Sequence, residues 1–282
     1  MSLMNHLSHL RVAPGSKVDM GNHDPADRLG YETKVAATAA AATHAERLRE
    51  LSAKLAATRA KAVLLVLQGM DCSGKDGTTR VTFSRVTPTF LRAVSFKAPT
   101  STELAHDFLW RIHASLPDRG QIGVFNRSHY EDVLVVRVDE LVPKAVWSRR
   151  YDAINAFEKH LVNEGTVLVK VMLNLSRDEQ LVRLKERLAD PQKNWKFSAD
   201  DLAKRKQWDA YMEAYAAMLE RTSTEWAPWH VVPADRNAVR NAAVAELLVE
   251  ALDQLDLQWP ALDPVVKALT VGFGVDGSGR AR

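Results

Sequence analysis

Nine residues, Gly69-Met-Asp71-Cys-Ser73-Gly74-Lys75-Asp76-Gly77, hold the densest chemistry in the sequence. Its glycines let the backbone approach an anion closely. Successive N–H groups of such a turn point into one concavity, where the N-terminus of a following helix adds partial positive charge. The run predicts a phosphate loop in which Gly69, Ser73, Gly74, Lys75, Asp76 and Gly77 meet phosphate oxygens. In the common pattern, GxxxxGK is followed by a Ser or Thr whose hydroxyl holds Mg²⁺, but Asp76 stands there instead. The magnesium ligand must come from elsewhere, and Asp71 is the candidate, because a hard cation takes oxygen ligands and keeps several waters beside one or two carboxylates. The competing reading of Asp71 is a capping or solvated loop aspartate. Cys72 reads as a small packing residue.

A second constellation, Phe125-Asn126-Arg127-Ser128-His129-Tyr130-Glu131-Asp132, follows a strand-like run. Arg127 would stabilise the charge spread over a phosphoryl group in flight, and Glu131 or Asp132 could act through magnesium or orient an accepting group. The alternative is that these residues cap and solvate a helix starting at Ser128, with Glu131 paired to Arg137. His129 reads as a packing or hydrogen-bonding residue, because phosphoryl transfer needs positioning and charge more than proton abstraction. Further along, Arg183, Lys185 and Arg187 recur at helical spacing and Lys193 and Lys196 follow in a turn, so several cations could close over the site. Interleaved Asp178, Glu179, Glu186 and Asp190 fit equally a solvated helix whose i,i+4 pairs are worth roughly 0.2–0.5 kcal/mol each. Lys97 ends a strand and points toward the same rim, with a plain surface lysine as the other reading.

The elements that must position these groups alternate along the chain. Leu48, Leu51 and Leu55 mark an amphipathic helix over Ala36–Arg59, and Ala62–Leu67 is a short apolar run typical of a central parallel strand. Further strands are predicted at Leu91–Phe96, Gln121–Asn126, Thr166–Leu173 and Trp229–Pro233. Helices are predicted at Thr102–Leu116, Ser128–Val138, Arg149–Glu164, Asp178–Leu188, Asp200–Glu220 and Arg236–Leu255. The phosphate loop leads into a helix near Thr78. This order predicts an α/β fold, a five-stranded parallel sheet with helices on both faces and ligands at the carboxyl ends of its strands. Residues 1–35 are expected to form a loosely docked arm, 36–258 the phosphate-loop domain with a helical lid at about 178–206, and 259–282 a flexible tail rich in glycine.

Composition narrows the class. With 46% hydrophobic and 26% charged residues, the 282-residue chain is an ordinary globular protein, not a disordered or collagen-like one. A net charge of +3 is too small to make the whole molecule a nucleic-acid binder. No run approaches the roughly 20 apolar residues that cross a bilayer, so no membrane partner is expected. The single cysteine excludes an internal disulfide framework and a multi-thiolate zinc site, and a cytoplasmic location is expected.

Taken together the motifs resemble the polyphosphate kinase 2 family, whose loop reads GxDxxGKxG and whose fold is a P-loop kinase with a helical lid. Matching blocks run from about Ala36 to Leu255: Gly69, Asp71, Gly74, Lys75 and Gly77; Ser95–Thr100; His106–Arg111; Phe125–Val138; Arg150–Glu158; Asp190–Phe197; and Ala227–Arg236. Members that convert ADP commonly read FDRSWYNR where this chain has Phe125–Asp132, so the resemblance is to class III. It implies phosphorylation of AMP and ADP to ADP and ATP from inorganic polyphosphate, with Mg²⁺ or Mn²⁺, by a homo-oligomer. By the same resemblance Asp71, Lys75, Arg127 and Glu131 are catalytic, Asp71 holds metal, and Arg183 and Arg187 reach phosphate from the lid. Lys97, Asp132, Lys193 and Lys196 face nucleotide or polyphosphate. Asn126 stands where the ADP-preferring class has a second acidic metal ligand, and Asn194 and Asn237 where class III members often have His and Lys. An ATP-dependent nucleoside monophosphate kinase would share the loop, lid and arginines, and a nucleotide- or polyanion-binding protein without turnover is the reading from another class.

Overall fold

The computed structural model describes residues 6–266. In chain order its helices are α1 (Lys34–Thr58), α2 (Lys75–Thr82), α3 (Ser101–Leu104), α4 (Trp110–His113), α5 (Val135–Val138), α6 (Lys144–Asn163), α7 (Arg177–Ala189), α8 (Ala199–Lys206), α9 (Trp208–Thr222) and α10 (Asn237–Asp253). Its strands are β1 (Ala62–Gln68), β2 (Leu91–Ser95), β3 (Ile122–Asn126), β4 (Thr166–Asn174) and β5 (Trp229–Pro233). They form one parallel sheet in the order β2-β3-β1-β4-β5.

Strand alternation divides the core in two. Val63, Leu65 and Leu67 of β1 face the α1 and α10 side, where Leu48, Leu51, Leu55, Leu248 and Leu252 are buried. Leu64 and Val66 face the other side, with Ile154 of α6 and Tyr215 and Met218 of α9. Each fully buried Leu or Val of this kind contributes about 1.5–3 kcal/mol. Both faces of β1 are thus covered, which is why it reads as an unbroken apolar run. The chain leaves β1 toward β2 on one side and crosses from β3 to β4 on the other, so the carboxyl end of β1 lies where the crossovers diverge, the usual place for a ligand in such sheets.

Four expectations differ from the structure. Residues 6–35 are not a loose arm: Leu7, Leu10, Val12 and Leu29 are buried, the Val12 amide donates to Trp229 O (2.8 Å), and Asn174 donates to His23 O (2.7 Å). Their apolar residues follow no period, because each fills a separate recess instead of one helix face. The helix expected over Thr102–Leu116 is two single turns, α3 and α4, since Asp107 takes the Leu109 amide and interrupts the ladder. Ser128–Val138 begins as a 3₁₀ turn, His129–Asp132, and only Val135–Val138 is α-helical. Ser128 caps that turn by accepting from the Tyr130 amide, and β-branched valines follow. The expected helix Asp200–Glu220 breaks at Gln207 into α8 and α9. Most of the expected flexible tail, residues 267–282, lies outside the described residues.

Candidate functional site

β1 and β3 pair in register, Leu67 opposite Asn126, so the residues that follow them emerge side by side. After β1 come the loop 69–74 and α2; after β3 comes Arg127, whose amide donates to Leu67 O (3.1 Å). Gly69 and Gly74 have φ of +144° and +96°, and the non-glycine residues Cys72 and Arg127 are also left-handed, at +66° and +62°. Such strain, of order 1–3 kcal/mol per residue, persists only where surrounding contacts enforce it. The first-turn amides of α2 lack helical partners.

Asp71, Arg127 and Glu131 line one cavity, closed by Val135 of α5, Lys204 of α8, and Tyr211 and Tyr215 of α9. Arg127 donates to Asp71 Oδ1 (2.5 Å), and Lys204 Nζ lies 3.9 Å from Asp71 Oδ2. Burial pushes the Asp71 carboxyl up, but Arg127, Lys75 and Lys204 together hold it below the ordinary range. Glu131 behaves oppositely: burial raises its pKa despite Arg127 and Lys75. With its amide turned to satisfy both ends, Gln68 donates to Glu131 Oε1 (3.0 Å) and accepts from the Ser128 amide (3.2 Å). Burial and the Arg127 charge bring Lys75 down to about 8, against the pull of Asp71, Glu131 and Asp76. Its ammonium donates to Gly69 O (2.6 Å), Met70 O (3.2 Å) and Ser73 Oγ (3.4 Å), all neutral.

The other expected site residues divide. Asp76 accepts from Asn126 (2.5 Å) and pairs with Lys196 (3.1 Å), so the tip between α7 and α8 touches the start of α2. Arg183 does not reach into the cavity: its guanidinium donates to Cys72 O (3.1 Å), Ala234 O (2.7 Å) and Asp235 O (2.8 Å), and so grips the loop from behind. Arg187 pairs with Asp201 (3.2 Å), the residue that also closes the capping box of α8. Lys193 pairs with its neighbour Asp190 (2.6 Å). Asp132 is bound by Arg150 (2.8 Å), and the Lys97 side chain stands exposed past the end of β2. Reading the sequence missed Lys204, Tyr211, Tyr215 and Arg240. Lys204 sits in a charged run that looks solvated, and only the packing of α8 over the loop brings it to Asp71.

The family described as Polyphosphate kinase 2 (PPK2) matches residues 31–260 of this chain. The chain belongs to the polyphosphate kinase 2 family. Among its relatives are the AMP/ADP-polyphosphate phosphotransferase of Meiothermus ruber, 49% identical over 89% of this chain and 94% of that protein, and the ADP-polyphosphate phosphotransferase of Rhodopseudomonas palustris, 44% identical over 90% and 92%. The crystal structure of polyphosphate kinase 2 from Arthrobacter aurescens TC1 superposes with a TM-score of 0.89 at 45% identity, covering 95% of this chain and 96% of that one.

In this polyphosphate kinase 2 chain the donor set fits a hard divalent cation. Two carboxylates, Asp71 and Glu131, face one cavity, and no group of three or more His, Cys, Asp or Glu residues suited to a metal occurs among the described residues. That matches magnesium, which keeps several waters and takes its remaining ligands from one or two carboxylates and substrate phosphates. No helix among the described residues is long and apolar enough to cross a membrane.

Proposed function

We propose that this polyphosphate-dependent nucleotide kinase transfers the terminal phosphoryl group of inorganic polyphosphate to both AMP and ADP, forming ADP and ATP. The observation that carries the reading is the cavity in which Arg127 and Lys204 flank the carboxylates of Asp71 and Glu131, with buried Lys75 close enough to act on both, an arrangement complementary to a phosphate chain with its cation. The names of the M. ruber and R. palustris relatives, an AMP/ADP- and an ADP-polyphosphate phosphotransferase, support the choice of donor and acceptors. An acceptor phosphate oxygen forms the new P–O bond as the bridging P–O bond of the donor breaks, and the leaving group is the polyphosphate chain one phosphate shorter. One phosphoanhydride replaces another, so the transfer is reversible and needs no general base.

The chain's own residues supply position and charge. Lys75 and the amides at the start of α2 hold the phosphoryl oxygens, and Arg127 meets the charge that spreads over them in the transition state. Asp71, with Glu131, would hold Mg²⁺ or Mn²⁺, which when bound would offset the negative charge of the phosphates. Homo-oligomeric assembly rests on the family resemblance, and a cytoplasmic location on the single cysteine.

The test is ATP formation by purified protein given long-chain polyphosphate, Mg²⁺ and either AMP or ADP, with Asp71→Asn and Lys75→Ala beside it. ATP from both nucleotides, lost in both variants, is expected. ATP from ADP alone would remove AMP from the acceptors. ADP made from AMP only when ATP is the donor would overturn the polyphosphate reading.

A further inference from the structure

Arg240, on α10, is 2% exposed and lies directly behind the phosphate loop. Its Nε donates to Thr78 Oγ1 (2.7 Å), its Nη1 to Ser73 O (3.1 Å) and Asn237 Oδ1 (2.6 Å), and its Nη2 to Asn241 Oδ1 (3.0 Å). Every one of these acceptors is neutral. Burial pulls the guanidinium down to about 9, and the charged group that adds to this is another cation, Arg183. A buried charge without a counter-charge costs several kcal/mol, so a fold retains one only where something else repays it. The other guanidiniums around the loop each have a carboxylate: Arg127 has Asp71, Arg183 has Glu179 and Arg187 has Asp201.

The geometry names the recipient. A Cβ on Gly74 would lie 2.1 Å from Nη1 and 2.4 Å from Cζ of Arg240, so residue 74 must lack a side chain for the guanidinium to sit there. In a trans peptide C=O and N–H point in opposite directions. By drawing the Ser73 carbonyl toward α10, Arg240 turns the Gly74 N–H away from α10, and that N–H has no partner among the described residues. Arg183 draws the preceding carbonyl, that of Cys72, in the same way. Two guanidiniums from different helices thus hold consecutive carbonyls of the loop.

We infer that Arg240 is a positioning residue: it fixes the phosphate loop from behind through Ser73 and Thr78, and its unpaired charge is balanced only when a phosphate chain occupies the loop. This rests on the polyphosphate reading above and deepens it. It also separates the free protein, in which the cation is a burden, from the bound one, in which it is neutralised.

The experiment measures thermal unfolding of the full chain with and without Mg²⁺ and tripolyphosphate, together with steady-state kinetics, for wild type, Arg240→Met and Arg240→Lys. The Met variant should unfold in the free state no lower than wild type, because an unpaired buried charge is replaced by apolar volume. It should lose most of the tripolyphosphate-induced rise in melting temperature, and its KM for polyphosphate should increase about ten- to a hundredfold, the range for losing hydrogen bonds to a charged group. Arg240→Lys, which keeps charge but not the fork, should fall between the two. A free Met variant that melts lower while its tripolyphosphate shift and KM match wild type would make Arg240 purely structural and overturn the inference. Should the Met variant not fold, an unchanged KM in Arg240→Lys overturns it and a raised one upholds it. Wild type without any tripolyphosphate shift would instead count against the polyphosphate reading itself.

Discussion

Two buried lysines, Lys170 on β4 and Lys75 at the start of α2, face opposite fates. Lys170 of β4 is fully buried, and its three donors reach Glu158 Oε2 (2.6 Å), Thr222 O (2.7 Å) and Tyr130 OH (3.0 Å). Glu158 is also fully buried and accepts from the Tyr130 hydroxyl (2.6 Å), with the His129 ring 3.2 Å away. Burial acts against that carboxylate, but Lys170 and His129 hold it below its ordinary range. Lys75 has only carbonyls and a hydroxyl, and its nearest carboxylates act at longer range. A buried cation matched by a carboxylate is complete and belongs to the scaffold. A buried cation held by neutral oxygens has room for an anion and belongs to the ligand.

The largest effect that sharpens this contrast is on catalysis. Lys75→Met should lower kcat/KM for polyphosphate by about a thousandfold or more, measured by ATP formation, because a charge aimed at the transferring phosphoryl group is removed. Its urea midpoint should barely move. Glu158→Ala should do the reverse, costing about 3–5 kcal/mol in urea unfolding by stranding Lys170 without its counter-charge. Equal stability losses in the two variants would break the comparison. Glu158 also anchors His129 and Tyr130, the residues just before Glu131, so whatever protein folds should show weakened AMP turnover as well.

A smaller effect comes from pH. The folded pKa of Lys75, about 8, lies below its ordinary 10.5. The free protein therefore loses this proton as pH rises through 8, whereas a bound polyanion favours the protonated form. KM for polyphosphate should rise above pH 8, at most about tenfold per unit for one proton, while kcat stays level. For stability the sign is opposite: between 8 and 10.5 the unfolded chain binds more protons at this site, so the group destabilises the fold less as pH rises. Lys75→Met should flatten the KM profile. The smallest effect is expected at Lys193, an exposed lysine paired with its neighbour. Lys193→Ala should change KM for polyphosphate no more than about threefold at low salt and not at all in high salt, because the solvent screens it.

Most of the scaffold was legible because its signals are local. Each strand is an apolar run closed by a turn, and Trp229–Pro233 begins and ends where its sequence predicts. The phosphate loop is legible for the same reason: glycine spacing, a lysine and a helix start all fall within nine residues. Arg183 and Arg240 show where local reading stops. One looks like part of a cationic helix face and the other like a lone arginine in an Ala- and Val-rich helix, yet both end behind the same loop. The N-terminal segment is opaque to local reading for the same reason, since its scattered leucines gain meaning only from recesses formed by distant elements.

By itself the sequence determined the strand and helix order, the phosphate loop and the chemical types gathered near it, because hydrogen-bond ladders and turns are decided by near neighbours. Only the tertiary structure decided which cations are matched and which are free for a ligand. Ser73 and Arg240 are 167 positions apart, and Lys170 and Glu158 come from different elements. Coulomb energy and desolvation depend on distance and burial in space, and neither can be counted along a chain.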